Sequence, residues 1–244
     1  MTLLEQAADF RQYDALDMDW EGVGTAASPH RQFMSRAINL QSAEVQGNTV
    51  LEVGCGSGWF LKECLDHGAA QVTGVEPSKY AELAAKTVPE ATIIKRTFQE
   101  FETNKQFDFV SFVMCTEHMP DLPHTLTKAN HLLKKTGNLL ILAADAEAFM
   151  LPRYDYELQI EPIQPGKEAV VEAKRPTDYG TTTDIVRSVD YWLDTAREAG
   201  FDLTSHQPVM ADDKFISQKP KYELFRNRPL FQLFRFTKVR DVEI

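Results

Sequence analysis

The sequence predicts an α/β protein in which helices cover both faces of a mostly parallel, doubly wound β-sheet. Two observations carry this prediction. Between Thr49 and about Ala144, short apolar runs alternate with stretches of helical periodicity, which is the pattern of repeated βα units. After this region the alternation stops. Residues 148–187 contain short β-like pieces punctuated by Pro and Gly, which indicates a small insertion over one edge of the sheet.

Five apolar runs predict the strands of the parallel part. They are TVLEV at 49–53, QVTGV at 71–75, ATIIK at 91–95, FDFVSFV at 107–113 and NLLILA at 138–143. The helices between them are bounded by capping signals. GWFLKECLDHG ends at Gly68, SKYAELAAKT begins at Ser78 as its N-cap, and DLPHTLTKANHLLKKTG runs from Asp121 to a stop at Gly137. Together these elements form a core over residues 47–147.

The flanking segments complete one domain over residues 1–244. Before the first strand, SPHRQFMSRAINLQSAEV predicts an amphipathic helix opened by Ser28 and Pro29, within an N-terminal helical flap over residues 1–46. In residues 188–244, SVDYWLDTAREAGF predicts a last helix capped by Ser188 and closed by Gly200. DLTSHQPVM and LFQLFRFTKV then predict two closing strands.

The composition is that of an ordinary globular protein, with 43% hydrophobic and 25% charged residues. No run approaches the roughly 18 apolar residues of a membrane span, and the acidic N-terminus lacks the order of a signal peptide, so we expect a cytoplasmic protein. Cys55, Cys64 and Cys115 are odd in number and widely spaced. They therefore predict reduced thiols rather than a disulfide framework or a zinc site.

The net charge of −10 repels a phosphate backbone and disfavours nucleic acid as a partner. The basic residues concentrate in FRNRPLFQLFRFTKVR near the end of the chain. The alternation of this segment predicts a strand with its basic residues on the solvent side, and a nucleic-acid surface is the alternative interpretation. The sequence does not decide the oligomeric state, and a homodimer stays open.

The stretch LEVGCGSGWF places Gly54, Gly56 and Gly58 directly after the first predicted strand. Glycine lets the backbone approach a ligand closely and tolerates positive φ, so such a turn is typical of nucleotide binding. Two interpretations compete: a dinucleotide fingerprint of the form G-x-G-x-x-G, and the shorter G-x-G-x-G loop present here, which disfavours that fingerprint. In the second, the loop is preceded by an acid, Glu52, which a ligand ammonium would compensate. Glu76, at the end of the second strand, can accept both hydroxyls of a ribose. The combination indicates a nucleoside ligand, and a purely structural turn is the alternative.

These motifs resemble those of class I S-adenosylmethionine-dependent methyltransferases of the small-molecule type. LEVGCGSG resembles the first motif of that family, GVEPS the acidic end of its second strand, FDFVSFVMCTEHMPD its fourth strand and loop, and LLKKTGNLLIL its fifth strand with the preceding helix and turn. The resemblance implies a three-layer, Rossmann-like, seven-stranded sheet with an antiparallel last strand and a small lid insertion. It also implies S-adenosylmethionine as methyl donor and S-adenosylhomocysteine as product.

The resemblance further implies which residues surround the donor. The glycine turn would hold the methionine part, Glu76 the ribose, and Pro77 would lie beside the adenine. Thr97, Phe98 and Gln99 stand where the family usually has an acid near the adenine amine. Tyr13 would cover the sulfonium with its aromatic face, or it would only pack the flap onto the core. The implied donor-binding residues are Glu52, Gly54, Cys55, Gly56, Ser57, Gly58, Trp59, Glu76, Pro77, Thr97, Phe98, Met114, Cys115 and Tyr13.

The candidate catalytic residues are Glu117 and His118, at the carboxyl end of the fourth strand, where ligands bind in open α/β sheets. His118 could remove a proton from the acceptor as it attacks the methyl group, or it could order the loop and contact the donor. The segment also resembles the loop of quinone-pathway O-methyltransferases, in which an acid three residues before the Glu–His pair completes a metal site. Met114 stands there instead, and hard cations avoid a thioether, so we expect no metal.

The flap and the insertion lie outside the shared core and are the expected lid over the acceptor. Candidate lid contacts are Trp20 in the flap and Arg153, Tyr154, Tyr156 and Tyr179 in the insertion. Arg31 or Arg36, on the helix before the first strand, could reach the carboxylate of the donor, or both could lie on a solvated helix face. The sequence thus predicts an enzyme that methylates an oxygen or nitrogen atom of a small-molecule acceptor by in-line displacement. The alternatives are a non-catalytic nucleoside-binding module of the same fold, a tRNA-modifying methyltransferase and a dehydrogenase.

Overall fold

The computed structural model describes residues 1–15, 28–152, 157–174 and 181–243. Five lid candidates, Trp20, Arg153, Tyr154, Tyr156 and Tyr179, lie outside the described residues. The described residues form ten β-strands. These are β1 (Thr49–Val53), β2 (Gln71–Val75), β3 (Thr92–Ile94), β4 (Phe107–Val113), β5 (Leu133–Ala144), β6 (Glu157–Gln164), β7 (Glu168–Lys174), β8 (Thr181–Arg187), β9 (Phe201–Met210) and β10 (Pro229–Lys238).

Ten α-helices and two 3-10 turns connect the strands within the same ranges. The helices are α1 (Leu3–Ala7), α2 (Gln12–Ala15), α3 (Pro29–Ile38), α4 (Ser42–Val45), α5 (Trp59–Asp66), α6 (Tyr80–Thr87), α7 (Leu122–Leu132), α8 (Ala146–Met150), α9 (Val189–Glu198) and α10 (Asp213–Gln218). The 3-10 turns are Thr116–His118 and Pro220–Arg226. No helix in the described ranges combines the length and the apolar character that crossing a membrane requires.

Seven strands form one sheet in the order β3-β2-β1-β4-β5-β10-β9. The pairs among β1 to β5 are parallel, whereas β10 runs antiparallel to both of its neighbours, β5 and β9. This is the predicted doubly wound, seven-stranded sheet with an antiparallel last strand, and the predicted fold class is confirmed. The order reverses between β1 and β4, which creates the crevice that open α/β sheets use for ligands.

Two apolar layers pack the helices onto the sheet, one on each face. Along β5, Leu140 and Leu142 belong to the layer that holds α3 and α5, while Leu139 and Ile141 belong to the layer that holds α7 and α9. Successive side chains of a strand point to opposite faces, so one strand supplies both layers. All four leucine and isoleucine side chains are at most 1% exposed, and each stabilises the fold by about 1.5–3 kcal/mol.

The insertion forms a second, antiparallel sheet in the order β6-β7-β8. Val170 of β7 and Ile185 of β8 pack with Leu3 and Ala7 of α1. The other end of β8 reaches the start of α8 through a bridge between Asp145 and Arg187. The insertion therefore lies beside the carboxyl ends of β4 and β5, because β8 bridges to Asp145 after β5 and Arg187 donates to the turn after β4. Helix α1 covers its apolar face.

Two predicted helix boundaries are wrong. The helix from Asp121 ends at Leu132, not at Gly137, because Leu133 already pairs with Phe107 of β4 and the chain continues as β5. Gly137 lies within that strand, packed so closely that a Cβ there would stand 2.9 Å from Leu133 Cδ2. Helix α6 has Lys79 as its N-cap, one residue later than the predicted Ser78.

Two further predictions change for local reasons. The predicted single helix before β1 is divided into α3 and α4, because Asn39 adopts a left-handed conformation with φ 47° and ends the first of them. The basic residues of β10 do not lie on a solvent face. Arg235 donates to Glu44 Oε1 at 2.8 Å, and Lys238 is 3% exposed and donates to the Asn130 and Leu133 carbonyls. This strand therefore presents no row of free basic side chains for nucleic acid.

Candidate functional site

A cavity of about 260 Å³ lies at the carboxyl ends of β1, β2 and β4. The turn after β1 and the end of β2 form its floor, and the turn after β4 forms one wall. Helix α3 and the segment 1–15, which we call the flap, cover it through Ala8, Phe10, Tyr13 and Met34. The cavity thus occupies the crevice expected for a ligand in this class of sheet.

The glycine turn after β1 needs glycine for two different reasons. Gly54, Gly56 and Gly58 all have positive φ, at 66°, 52° and 82°, a region that other residues enter only with strain. A Cβ on Gly54 would stand 2.4 Å from Cys115 Cβ, so this glycine lets the β1 and β4 turns touch. A Cβ on Gly56 would meet nothing within 4 Å, and Gly56 lines the cavity. Gly56 therefore leaves open space beside the cavity floor.

Glu52 places a buried carboxylate under this turn. The residue is 1% exposed, and its Oε2 finds no hydrogen-bond partner among the described residues. Burial raises the pKa of Glu52 well above its ordinary value, although a backbone N–H from Leu61 and the charge of Arg31 act in the opposite direction. Arg31 of α3 also lines the cavity, and burial lowers its pKa to about 10. The site thus holds an unsatisfied acceptor that a cation would stabilise in its charged form.

Glu76, at the end of β2, fastens the glycine turn to the next turn of the chain. Its Oε2 accepts the Gly56 N–H at 2.9 Å, and its Oε1 accepts the Ser78 N–H at 2.9 Å. Each oxygen of an ionised carboxylate can accept about two hydrogen bonds, so both retain one free acceptor position. Glu76 and the adjoining Pro77 line the cavity.

The far end of the cavity is formed by the turn after β3. Phe98 is 3% exposed and packs edge to face against Phe112 of β4, with ring centroids 5.5 Å apart. The Thr97 hydroxyl donates to Glu100 Oε2 at 2.8 Å, so it is held within its own turn. Gln99, which the sequence placed beside Thr97 and Phe98, also lines the cavity.

The opposite end is formed by the turn after β4, where the backbone is strained. Met114 has φ 54°, which for a non-glycine residue costs about 1–2 kcal/mol. Its N–H donates to the Leu142 carbonyl at 2.8 Å, and the Cys115 thiol donates to the Val53 carbonyl at 3.0 Å. Burial raises the pKa of Cys115 well above its ordinary value, so this thiol is not a nucleophile at neutral pH. These bonds aim the following turn, Thr116–His118, at the cavity.

The two candidate catalytic residues separate in the structure. Glu117 is 2% exposed and points away from the cavity, where its Oε1 accepts the Ala144 N–H at 2.6 Å. Burial raises its pKa, while that hydrogen bond and the neighbouring His118 lower it. His118 lines the cavity, and its Nε2 contacts the Tyr13 hydroxyl. The flap thus meets the β4 turn at this imidazole.

The cavity brings together most of the residues implied for the donor. Those that line it are Tyr13, Glu52, Gly54, Cys55, Gly56, Ser57, Trp59, Glu76, Pro77, Thr97, Phe98, Met114 and Cys115. Gly58 and Glu117 do not line it. Of the two arginines on α3, Arg31 lines the cavity, whereas Arg36 forms an ion pair with Asp212 at 2.8 Å.

The sequence missed several residues of the covering wall. His30 and Met34 lie four residues apart on one face of α3, and Ala8, Phe10 and Met119 come from the flap and the β4 turn. Helical spacing puts His30 and Met34 together, but it does not reveal what the shared face covers. Among the described residues, no three His, Cys, Asp or Glu side chains are grouped as a metal site requires.

Comparisons with known proteins agree with this geometry. The family described as methyltransferase domain matches residues 27–206. A ubiquinone biosynthesis O-methyltransferase of Rhodopseudomonas palustris (strain BisB5) is 31% identical over 116 residues, which cover 46% of this chain and 45% of that protein. A ubiquinone biosynthesis O-methyltransferase of Pseudomonas aeruginosa (strain LESB58) is 24% identical over 230 residues, which cover 79% of this chain and 97% of that protein. The crystal structure of an S-adenosylmethionine-dependent methyltransferase from Mesorhizobium loti superposes with a TM-score of 0.65 at 20% identity, covering 87% of this chain and 99% of that one.

Proposed function

The chain belongs to the methyltransferase domain family, and from that premise we propose that it methylates an oxygen or nitrogen atom of a small molecule. Its methyl donor is S-adenosylmethionine. The observation that carries the proposal is the buried Glu52 carboxylate, which lines the cavity under the glycine turn with one oxygen unpartnered among the described residues. An ammonium group is the ligand feature that such an oxygen requires.

The other residues of the cavity floor fit the same donor. Gly56 has open space where a side chain would begin, so a ligand can lie against its backbone. The two Glu76 oxygens keep one acceptor position each, which suits the two hydroxyls of a ribose. Phe98 and Pro77 offer apolar surface to a base at the far end. The floor therefore supplies one group for each part of the donor.

S-adenosylmethionine supplies a methyl group on a sulfonium; the acceptor atom forms its bond to that carbon as the carbon–sulfur bond breaks and its electron pair stays on sulfur. The chain contributes alignment and exclusion of water. The flap closes over the cavity and is held there by Asp14, whose Oδ1 accepts the Lys79 N–H at 2.8 Å, while Lys79 Nζ donates to the Asp14 carbonyl at 2.8 Å. Phe10 and Met119 add apolar cover.

His118 is the group that we assign to take the acceptor's proton. A hydroxyl or amine that attacks the methyl group must lose a proton, and a neutral imidazole suits that task near neutral pH. The Tyr13 hydroxyl contacts Nε2, so this is the ring nitrogen that faces the cavity and would accept the acceptor's proton. Glu117 acts through the backbone, because its oxygen holds the Ala144 N–H and thereby fixes the turn that carries His118. We therefore assign Glu117 a positioning role.

Two observations support a small acceptor with a hydroxyl group. Apolar or aromatic side chains line the cavity together with His118, among them Phe10, Tyr13, Met34 and Met119, and they suit a compact apolar molecule. The curated relatives described above are O-methyltransferases by name. The net charge of −10 opposes a tRNA acceptor. We also assign the reaction to the cytosol, which the three buried free thiols support.

A library screen tests the proposal. The protein is incubated with S-adenosylmethionine and panels of small phenols, alcohols and amines, and formation of S-adenosylhomocysteine is measured. We expect turnover with a hydroxyl-bearing acceptor, and loss of it in the His118→Gln variant. Calorimetry with S-adenosylhomocysteine and NAD is the parallel arm. Binding without turnover on any panel would favour the non-catalytic module, and binding of NAD alone would refute the donor assignment.

The Glu76→Ala variant tests the ribose assignment in the same calorimetric assay. We expect the affinity for S-adenosylhomocysteine to fall by more than tenfold, because a charged acceptor of two hydrogen bonds is lost. The matched control is Glu82→Gln on the exposed side of α6, where Glu82 forms an ion pair with Lys95 at 3.0 Å. Unchanged affinity in Glu76→Ala would remove the assignment.

A further inference from the structure

The imidazole of His118 is held on both of its nitrogen atoms by segments outside the sheet core. Its Nδ1 lies 3.2 Å from the Ala7 carbonyl of the flap and 3.4 Å from Gln12 Nε2. Its Nε2 contacts the Tyr13 hydroxyl and lies 3.7 Å from Asp184 Oδ1 of β8. The side chains of His118 and Asp184 are only 13% and 12% exposed, so water screens this contact weakly.

These contacts select one neutral form of the ring. A carbonyl oxygen only accepts hydrogen bonds, so the contact with Ala7 is favourable when Nδ1 carries the proton. The Gln12 amide nitrogen is a donor and by itself would favour the other form, but it also lies 3.4 Å from the Gln6, Ala7 and Thr183 carbonyls, which can accept both of its hydrogens. The Ala7 carbonyl therefore favours a proton on Nδ1, which leaves the lone pair of Nε2 facing Tyr13.

The strand β8 also fixes the turn on which His118 stands. Arg187 is 2% exposed, and its two terminal nitrogens donate to the Thr116 carbonyl at 2.8 Å and the Met119 carbonyl at 2.6 Å. Its Nε donates to Glu168 Oε1 of β7 at 2.7 Å, which neutralises the buried guanidinium. A planar guanidinium holds both carbonyls of the turn in one geometry, which a lysine cannot do. The second sheet is thus attached through Arg187 to the turn that carries His118.

We propose that the insertion sheet supplies a positioning residue for His118: Asp184 stabilises the imidazolium that forms when Nε2 takes the acceptor's proton. This inference rests on the proposed role of His118 as the base. In that step the O–H or N–H bond of the acceptor breaks, its electron pair stays on the attacking atom, and the proton joins Nε2 while Nδ1 keeps its own. The charged and titratable groups that face the ring are then Tyr13 from α2, Asp184 from β8 and Glu117 from the same turn.

The first experiment needs no acceptor. In the full-length protein labelled with ¹⁵N-histidine, the His118 signals are assigned by comparison with His118→Gln, and long-range ¹H–¹⁵N spectra show which ring nitrogen carries the proton. We expect the Nδ1–H form when the ring is neutral. At about pH 6, we expect a smaller imidazolium fraction in Asp184→Asn than in the wild type. The control Asp190→Asn, an exposed site on α9, should match the wild type. An Nε2–H ring, or equal imidazolium fractions in all three proteins, would overturn the proposal.

The second experiment uses the acceptor found in the screen. We expect Asp184→Asn to lower kcat by roughly ten- to a hundredfold, with little change in the KM for S-adenosylmethionine, because the carboxylate acts on the transition state and not on donor binding. Asp184→Glu, which keeps the charge, should restore part of the rate. Full kcat in Asp184→Asn would contradict the proposal. If no acceptor is turned over, the proposed function fails. The spectra of the first experiment then decide separately whether His118 carries its proton on Nδ1 and whether Asp184 stabilises its imidazolium form.

Discussion

Replacing Gly56 by alanine separates the backbone requirement of the donor turn from its binding role. The φ of 52° at Gly56 means that alanine costs about 1–2 kcal/mol of stability. Gly47, in an exposed turn with φ 74°, carries the same cost, and a Cβ at either position meets nothing within 4 Å. The two variants should therefore lose similar stability in urea unfolding without ligand. Only at Gly56 does the added methyl group border the cavity.

The difference should emerge when S-adenosylhomocysteine is added. At a concentration 100 times its Kd, a ligand stabilises the wild type by about 2.7 kcal/mol, and after a tenfold loss of affinity the same concentration gives about 1.4 kcal/mol. We expect at most the lower value for Gly56→Ala and the full value for Gly47→Ala. Equal stabilisation of both variants would refute the idea that the donor lies against the Gly56 backbone.

Three further predictions concern the same cavity. Burial raises the pKa of Glu52 above its ordinary value of 4.5, so the free energy of unfolding of the unliganded protein should fall as the pH rises above that value. Urea unfolding at about pH 5 and about pH 8 measures this loss, and the Glu52→Gln variant should not show it. Gly54→Ala should cost about 2–5 kcal/mol, more than the exposed-turn control, because its Cβ would collide with Cys115 in addition to the φ strain. Asp14→Ala should speed the release of S-adenosylhomocysteine roughly two- to tenfold in stopped-flow fluorescence, because the flap loses its bond to the Lys79 N–H.

Each of these has a clear contrary result. Parallel stability curves for Glu52→Gln and the wild type across that pH range would mean that the carboxylate is compensated without ligand. A loss for Gly54→Ala equal to that of the exposed-turn control would mean that the β4 turn moves aside at no cost. An unchanged release rate in Asp14→Ala would mean that the flap does not limit exit of the product.

The strands could be predicted closely because their signal is local. TVLEV, QVTGV and FDFVSFV coincide with β1, β2 and β4 residue for residue, since each is a short apolar run bounded by turn residues. The stop predicted at Gly137 failed because a glycine after a helical run usually ends a helix, whereas here Leu133 pairs with β4 and ends α7 earlier. Pairing across the sheet is not visible in the run itself.

The residues of the cavity floor could be predicted from the sequence, whereas those that hold His118 from the insertion could not. Glu52, Gly56 and Glu76 could be marked because a glycine turn and two acids recur at fixed places along βα units. Asp184 and Arg187 lie in an insertion without such a pattern, in a strand flanked by turn residues, and their partners are distant in the chain. The direction of Glu117 was also beyond the sequence, because two adjacent residues of a 3-10 turn point to different sides.

The sequence by itself therefore predicted the strands, the glycine turn and the two acids beside it, because apolar runs and a glycine turn after a strand are local consequences of backbone geometry. The donor followed from the resemblance of these motifs to those of a known family. Only the tertiary structure decided how the imidazole of His118 is held, since Ala7, Tyr13 and Asp184 reach it from the flap and the second sheet. Contacts between distant segments depend on how whole layers pack, and no short stretch of sequence contains both partners.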